Sequence, residues 1–514
     1  MHPLYESLHR NKKILIMILI GLITAVEFLE SQMFVFSASH IMGGIDAGPY
    51  EFAQVQTAYA VGIMLMVVMQ NWFARHIGYR HYLMGSLGLF IIGAFASAMS
   101  DGLLSLVFAR FIQGVGGGAL FTSSRILVNL MFPQAERRRA LKYFMLLIFS
   151  SSAIAPILAA TLIDTGTWQW VFYGAIPPAV AALFGVWVLL PANLGRSNFT
   201  SHRIAMGPLL LFAIAVLCLQ LMFSTTRFDI FNHPLRLIGL FSLGGLLLFG
   251  FLWQQWRHPE PLLHIRELNS PIYLVGLGLY FLYYFVSGIG GYLFPIYAEQ
   301  GLGLTLIKTG WLNAIAGLSS LIMAFFYVTY LSVRFKRKKN LMITGALALA
   351  VAGWWFSRVG MGADTAQLWL GLIAKGVFGV LLVLPVAGLT FQTFDDEQFA
   401  HGYQGKNLLR QIATSASSAF AAVMLQNRQN QVDGHLRESF NPGNTSFDNW
   451  INAMQALFES HGLPAEQAHS AALAALARHV SQQAQLIACE NMYQLLACMA
   501  VGVATVVAVQ RKLK

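Results

Sequence analysis

The stretch "ILIMILIGLITAVEFLESQMFVF" runs from Ile14 to Phe36. No charge interrupts it from Ile14 to Val26, and then Glu27 and Glu30 follow inside the same apolar run. A bilayer core is crossed by about 20 apolar residues in a helix. This run meets that length, so it reads as a membrane span that holds two carboxylates. A charge at the bilayer centre costs on the order of 3 kcal/mol, and such residues usually face a bundle interior or a water-filled cavity. Residues three apart share one helix face, which puts Glu27 and Glu30 together on the inward side.

Runs of the same kind recur at 52–74, 82–100, 103–130, 141–163, 168–190, 205–224, 234–255, 271–298, 307–332, 340–357, 366–393, 403–425 and 486–510. The expectation is an all-α polytopic membrane protein of about fourteen spans. Composition agrees: 56% of the residues are hydrophobic and 11% charged, against roughly a quarter charged in a soluble domain. A transmembrane β-barrel is excluded, because its strands leave only short alternating segments.

The formal charge of +11 invites a nucleic-acid reading, which its distribution excludes. With the N-terminus placed inside, 21 of the 33 Lys and Arg fall on the cytoplasmic side, 7 outside and 5 within spans. That bias is the positive-inside rule. It places both termini in the cytoplasm and requires an even number of spans. "MHPLYESLHRNKK" has no small-residue cleavage site, so the first span is expected to be retained rather than removed as a signal peptide. Cys218, Cys489 and Cys498 show no metal-site spacing and imply no disulfide framework. No phosphate-binding glycine loop, HExxH pair or GxSxG elbow is present. The expectation is a transporter driven by an ion gradient, without cofactor or metal, and not an enzyme.

The chain divides into a six-helix half over 1–190, two inserted helices with their linkers over 191–270, and a second six-helix half over 271–514. Internal duplication is a common transporter plan, and two agreements support it. "FIQGVGGGALF" (111–121) and "LIAKGVFGVLL" (372–382) both place a polar residue, Gly-Val and a further glycine in the fourth span of a half. "ARHIGYRHY" (74–82) and "VRFKRKKN" (333–340) are both basic links after the second span. The polar stretch 426–484 lies outside and is too long for a simple connector. It reads either as a solvated loop or as a periplasmic helical hairpin that docks a partner.

The charges inside spans are the candidate machinery. Burial raises a carboxylate's pKa, and so does a second carboxylate close by; a proton carrier needs that property. Glu30 and Glu27 are therefore proton-coupling candidates, or else a structural pair bonded to neighbouring helices. Arg110 needs a buried partner, for which Glu30 or Glu27 is the natural choice. Gly114 and Gly117, with their neighbours Gly116 and Gly118, permit close helix packing. Arg125 is expected to snorkel to the interface. Lys375, Lys406 and Arg410 are the bases of the second half. They either favour an anionic or weakly acidic substrate or, for Lys406 and Arg410, anchor the loop "FDDEQ" (394–398). Gln113, Lys375, Lys406, Arg410, Asn407, Tyr283 and Tyr284 are the substrate-contact candidates near the midplane.

Several of these motifs resemble those of the major facilitator superfamily. "ARFIQGVGGG" (109–118) resembles the fourth-span antiporter signature Arg-x-x-Gln-Gly-x-Gly. "NWFARHIGYRHYL" (71–83) resembles the loop signature after span two, keeping Gly78 and Arg80 but carrying Asn71, Arg75 and His76 where the family has Gly, Asp and Arg. "APILAA" (155–160) keeps only Pro156 of the fifth-span signature. "TWQWVFYGAIP" (167–177) is similar to the family's Trp-Arg-Trp-x-Phe segment, with Gln169 for Arg. "HPEPLLHIREL" (258–268) resembles the link after two inserted spans, and "GKNLLRQIATS" (405–415) the Asn-x-x-Arg segment, with Asn407 and Arg410 matching. "HLRESFNP" (435–442) and "AQLIACENMY" (484–493) look like the long outer loop of EmrB-type pumps.

The resemblance is closest to the fourteen-span drug:proton antiporter branch, EmrB type. It implies a major facilitator fold with two six-helix halves plus two inserted helices, in a bacterial inner membrane. It implies proton-driven multidrug efflux of hydrophobic, weakly acidic compounds through a periplasmic membrane-fusion adaptor and an outer-membrane channel. It further implies proton transfer at Glu30 and Arg110, and conformational roles for Gly78, Arg80, Pro156, Gly114 and Gly117. Two rivals stand beside it: a proton-coupled importer on the same fold, and a membrane scaffold or sensor that does not transport.

Overall fold

The computed structural model describes residues 10–196, 206–259, 261–335, 337–439 and 445–513. Part of the inserted segment (197–205), the tip of the outer stretch (440–444), and Arg203, Lys336 and Lys514 of the charge count lie outside the described residues, as does part of "HLRESFNP". The apolar runs all form helices, because in hydrocarbon a helix satisfies its own backbone polar groups. The first half contains α1 (Arg10–Phe36), α2 (Pro49–Ala98), α3 (Leu103–Met131), α4 (Gln134–Thr165) and α5 (Ile176–Leu189). The inserted pair is α6 (Met206–Asn232) and α7 (Pro234–Arg257). The second half opens with α8 (Pro271–Ile296), α9 (Leu306–Phe326), α10 (Lys338–Phe356), α11 (Trp369–Leu381) and α12 (Val383–Thr390). It closes with α13 (Asp396–Ser439), α14 (Thr445–Ser460) and α15 (Ala465–Val509).

Twelve helical segments are long and apolar enough to cross a membrane, among the described residues. One of them, α2, holds both runs 52–74 and 82–100 and is broken at Gly78 (φ 81°, ψ 155°). The run 340–357 forms α10, which is helical but not among the twelve. The architecture is thus all-helical and multi-pass.

The break at Gly78 has a physical reason. Its backbone conformation belongs to a region that only glycine occupies readily. An added Cβ would sit 3.2 Å from the Ala192 carbonyl oxygen and 3.3 Å from that of Leu194. The Tyr79 amide donates to Leu194 O at 2.8 Å, and Arg80 donates to Trp187 O at 2.6 Å. The link after the second apolar run is therefore docked on the end of α5.

At the end of the bundle that carries this basic link, polar side chains join the two halves. Asn71 donates to Gln404 Oε1 at 2.9 Å, and Gln404 donates to the carbonyls of Val67 and Val68 at 2.7 Å. Arg75 pairs with Glu397 at 2.6 Å and Arg137 with Asp396 at 2.8 Å. The loop 394–398 is thus anchored by arginines of the first half; the alternative that Lys406 and Arg410 anchor it is overturned. Lys406 and Arg410 lie too far along α13, and each faces inward. The Arg75 departure also gains an explanation, since the opposite charge stands on α13.

Along the side of the bundle, α4 and α9 run in contact. A Cβ at Gly310 would meet Pro156 O at 2.8 Å, and one at Gly317 the Ala153 amide at 2.7 Å. The small residues of "APILAA" serve this approach. The first glycine of each duplicated motif packs in the same way: Gly114 lies on Tyr59 of α2, and Gly376 on Ala316 and Ser319 of α9. Gly117 touches the Tyr59 ring hydroxyl. On the opposite side α6 bridges the halves, with Thr57 bonded to Ser224 at 3.0 Å and Arg227 to Gln426 at 2.6 Å. By contrast α7 exposes Leu235, Leu246 and Phe249 along its length, as a lipid-facing helix does.

The outer stretch is helical rather than a simple solvated loop. The distal part of α13, α14 and the start of α15 share a small apolar core of Ile451, Ala472, Leu476 and Val480, with Leu436, Met454 and Phe458 against it.

Gly78→Ala is expected to lose about 1–3 kcal/mol of stability, the cost of forcing a side chain into a glycine-only conformation. Thermal unfolding of the purified protein in detergent checks this, with Gly85→Ala, where nothing lies near an added Cβ, as the neutral comparison.

Candidate functional site

A central cavity of about 620 Å³ lies between the halves. Residues of α1, α2, α3 and α4 form one wall, and α8, α9, α11 and α13 the other; Gln220, Phe223 and Ser224 of α6 close one side. The contacts around Asn71, Arg75 and Gln404 seal it at the basic end. Its lining carries five bases, Arg110, Arg125, Lys375, Lys406 and Arg410, against one carboxylate, Glu27.

Two ion pairs organise these charges. Glu30 of α1 and Arg110 of α3 form a fully buried bridge within the first half. Arg110 also donates to Gln113 Oε1 at 2.7 Å. Its guanidinium lies between the rings of Tyr59 and Phe34, at 3.9 and 4.0 Å from their centroids. Ring faces attract a cation, so the aromatics complete a dry setting for the charge. The second pair crosses between halves: Arg410 Nη2 of α13 donates to Glu27 Oε1 at 3.0 Å. Glu27 and Glu30 are each held by a neighbouring helix, but by different halves of the molecule.

Three bases in the cavity have no ion-pair partner among the described residues. Lys406 sits 4.3 and 4.5 Å from the ring centroids of Tyr403 and Phe121, with Tyr280 at 5.2 Å. Lys375 reaches the Gly290 carbonyl at 3.4 Å. Arg125 donates to Asn129 Oδ1 at 2.9 Å and lies over Phe399. The expectation that Arg125 snorkels to the interface is corrected: it faces the cavity.

Tyr283 and Tyr284 line the cavity, with Tyr283 donating to Gly379 O at 3.2 Å. Gln113 and Asn407 do not line it. Gln113 is spent on Arg110, and Asn407 donates to Thr122 Oγ1 at 2.7 Å, tying α13 to α3. Sequence reasoning missed Tyr59, Phe121, Tyr280 and the α6 residues. The spacing of Tyr280, Tyr283 and Tyr284 puts them on one helix face and was a usable signal. In α6, Gln220, Ser224 and Arg227 stand four and three residues apart, a polar stripe on one helix face that was a usable signal as well.

The arrangement is that of a membrane transporter on the major facilitator fold, not an enzyme: a central cavity between two helical halves, walled by charges that only a polar interior tolerates. Residues 20–258 match the sequence pattern of the Major Facilitator Superfamily. The chain is similar to proteins described as "Putative multidrug resistance protein MdtD" from Salmonella newport and Salmonella typhi. Each is 24% identical over 379 residues, 73% of this chain and 79% of the relative. Among solved structures, a proton dependent oligopeptide transporter superposes with a TM-score of 0.62 at 11% identity, over 96% of this chain and 97% of that one. The human organic anion transporter MFSD10 does so with a TM-score of 0.58 at 14% identity, over 97% and 100%.

Arg110→Leu is expected to cost about 3–5 kcal/mol, because it leaves Glu30 buried without its counter-charge. Arg75→Ala, which breaks a solvent-exposed pair, is expected to cost about 0–1 kcal/mol. Parallel unfolding curves of the two variants check the contrast; equal losses would mean that the buried pair is not sealed from water.

Proposed function

We propose that the protein is a proton-driven exporter of hydrophobic, weakly acidic drugs or toxic compounds. It acts by alternating access in a bacterial inner membrane, as an antiporter of the EmrB type. The observation that carries this reading is the buried Glu30–Arg110 pair beside a cavity with a surplus of bases. A carboxylate bonded to a guanidinium in a dry site has two states. With the proton absent, the pair is closed and α1 is tied to α3. With the proton on Glu30, the ionic part of that tie is lost and Arg110 is released. A ligand shifts a conformational equilibrium only through its differential affinity for the two states, and a proton that breaks one ion pair has that differential.

The same cavity suits the cargo. Arg125, Lys375 and Lys406 attract an anionic group, and the rings of Tyr283, Tyr284 and Phe121 receive an apolar body. The relatives' description as multidrug resistance proteins supports export over import. The energy source is the proton gradient, and no cofactor enters the cycle. The outer helices α13, α14 and α15 offer a docking element for a periplasmic adaptor that leads to an outer-membrane channel. Both termini lie in the cytoplasm in this reading, on the end sealed by Arg75 and Glu397.

Two experiments test the proposal. In proteoliposomes, addition of a hydrophobic weak acid is expected to drive proton movement with the wild type and not with Glu30→Gln. Unchanged proton movement in Glu30→Gln would make that glutamate structural. Accumulation of substrate against its gradient by intact cells would favour the importer instead. For the adaptor, crosslinked membranes are expected to yield a periplasmic partner with the full chain and to lose it when residues 430–480 are deleted. Retention of the partner would remove the outer helices from that role.

A further inference from the structure

The two ion pairs differ in a way that the proton-coupling reading does not use. The Glu30–Arg110 side chains are 0% and 1% exposed. The Glu27–Arg410 side chains are 5% and 13% exposed, and both line the cavity. The first pair lies within one half, and of its two members only Arg110 reaches the cavity lining. The second stands at the cavity wall and spans the two halves. Among the described residues it is the one ion pair that crosses the cavity, since Arg75–Glu397 and Arg137–Asp396 lie at the basic end.

The Glu27–Arg410 pair is also incompletely made. Only Nη2 of Arg410 reaches Glu27, through Oε1. Glu27 Oε2 is buried without a hydrogen-bond partner. A guanidinium binds a carboxylate best through two parallel N–H···O bonds, so this contact leaves part of the donor fork unused. A free anion that can adjust its position has an advantage over a carboxylate fixed to α1. Lys406 lies one turn before Arg410 on the same helix face, among rings and with no carboxylate paired to it among the described residues. The Arg410 guanidinium itself lies 4.6 Å from the Phe121 centroid and 5.3 Å from that of Phe28. A cationic fork, a second cation one turn away and flat apolar walls describe a receptor for a planar aromatic anion.

We propose that Arg410 is the anchor for the acidic group of the transported compound, and that Glu27 occupies Arg410 as an internal competitor when the cavity is empty. This rests on the reading of the cavity as the substrate site and deepens it. The anion takes the guanidinium, and Glu27 is released into the cavity that it lines. No covalent bond changes; one carboxylate replaces another on Arg410. The exchange also cuts the tie between α1 and α13, so cargo binding removes a restraint that holds the halves together. A neutral compound of the same shape fills the cavity without cutting it.

Equilibrium binding to the purified full chain in lipid nanodiscs tests the exchange, with fluorescent anthracene-9-carboxylate as the probe and anthracene-9-carboxamide as its neutral isostere. Glu27→Gln removes the competitor and is expected to tighten carboxylate binding about tenfold, the factor for a competitor that holds the site nine-tenths of the time. Glu27→Asp keeps the charge but shortens the reach, so a smaller gain is expected, and it tests the idea without leaving a charge unpaired by design. The carboxamide is expected to bind all three proteins alike. In the Arg410→Gln background, Glu27→Gln is expected to bring no gain.

Unchanged or weaker carboxylate binding in both Glu27 variants would overturn the proposal, as would failure of wild type and variants alike to bind the anion. A gain that persists in the Arg410→Gln background would overturn it too, since Glu27 would then act through its general field. None of these arms reads proton movement. Proton coupling lost in Glu30→Gln together with no affinity gain in Glu27→Gln would reject the exchange and leave the exporter reading standing; the converse result would do the opposite.

Discussion

A charge inside a membrane-spanning bundle has to be answered by another charge or by water, and the interior of this protein is arranged around that demand. Glu30 is answered by Arg110 and Glu27 by Arg410. Each answer fixes a helix relationship. The first holds α1 on α3, and it is available because α3 lies at glycine distance from α2, where Gly114 meets Tyr59 and Gly118 meets Ile63. That approach also brings the Tyr59 ring over Arg110. The second pair holds α1 against α13 of the other half. One short acidic segment thus takes part in the integrity of its own half and in the union of the two.

The contacts at the basic end are of a different physical kind. Arg75, Arg137, Glu397 and Asp396 are all partly open to water. Such pairs are individually worth about 0–1 kcal/mol. They are joined by hydrogen bonds donated by the side-chain amides of Asn71 and the buried Gln404. The ion pairs of this closure are weak, wet contacts, made and broken more readily than a seal built on buried charges would be. The structure therefore combines a buried ion pair within one half with a set of more exposed ion pairs between the halves.

Much of this was legible in the sequence, for reasons that differ by element. The helices follow from apolar runs that hydrocarbon leaves no alternative to helix. The Glu30–Arg110 pair follows from need, since both charges sit in spans near each other in the first half. The Glu27–Arg410 bond joins residues 383 positions apart, and nothing in either local stretch names the partner. Gln113 and Asn407 have the chemistry of substrate contacts, but packing spends them on Arg110 and Thr122. Arg125 has a stem long enough to reach an interface, and its helix turns it inward instead. Arg75 reads as a departure from a family motif until Glu397 is seen opposite it, and that compensation lies far away in the chain. The bridging position of α6 left only a polar stripe, Gln220, Ser224 and Arg227, which gives a direction but does not name the partners in the two halves.

The great length of α13 has a mechanical consequence. The helix runs unbroken from Asp396 at the basic end to Ser439 in the outer extension, and Lys406 and Arg410 stand on its early turns. From Arg410 to Ser439 it spans roughly 44 Å at 1.5 Å per residue. Its cavity-lining residues run from Tyr403 to Ser418. A tilt of about 10° at the cavity would carry the far end through roughly 8 Å over that length. Any change in the tilt of α13 is therefore magnified along its length into a displacement of its far end.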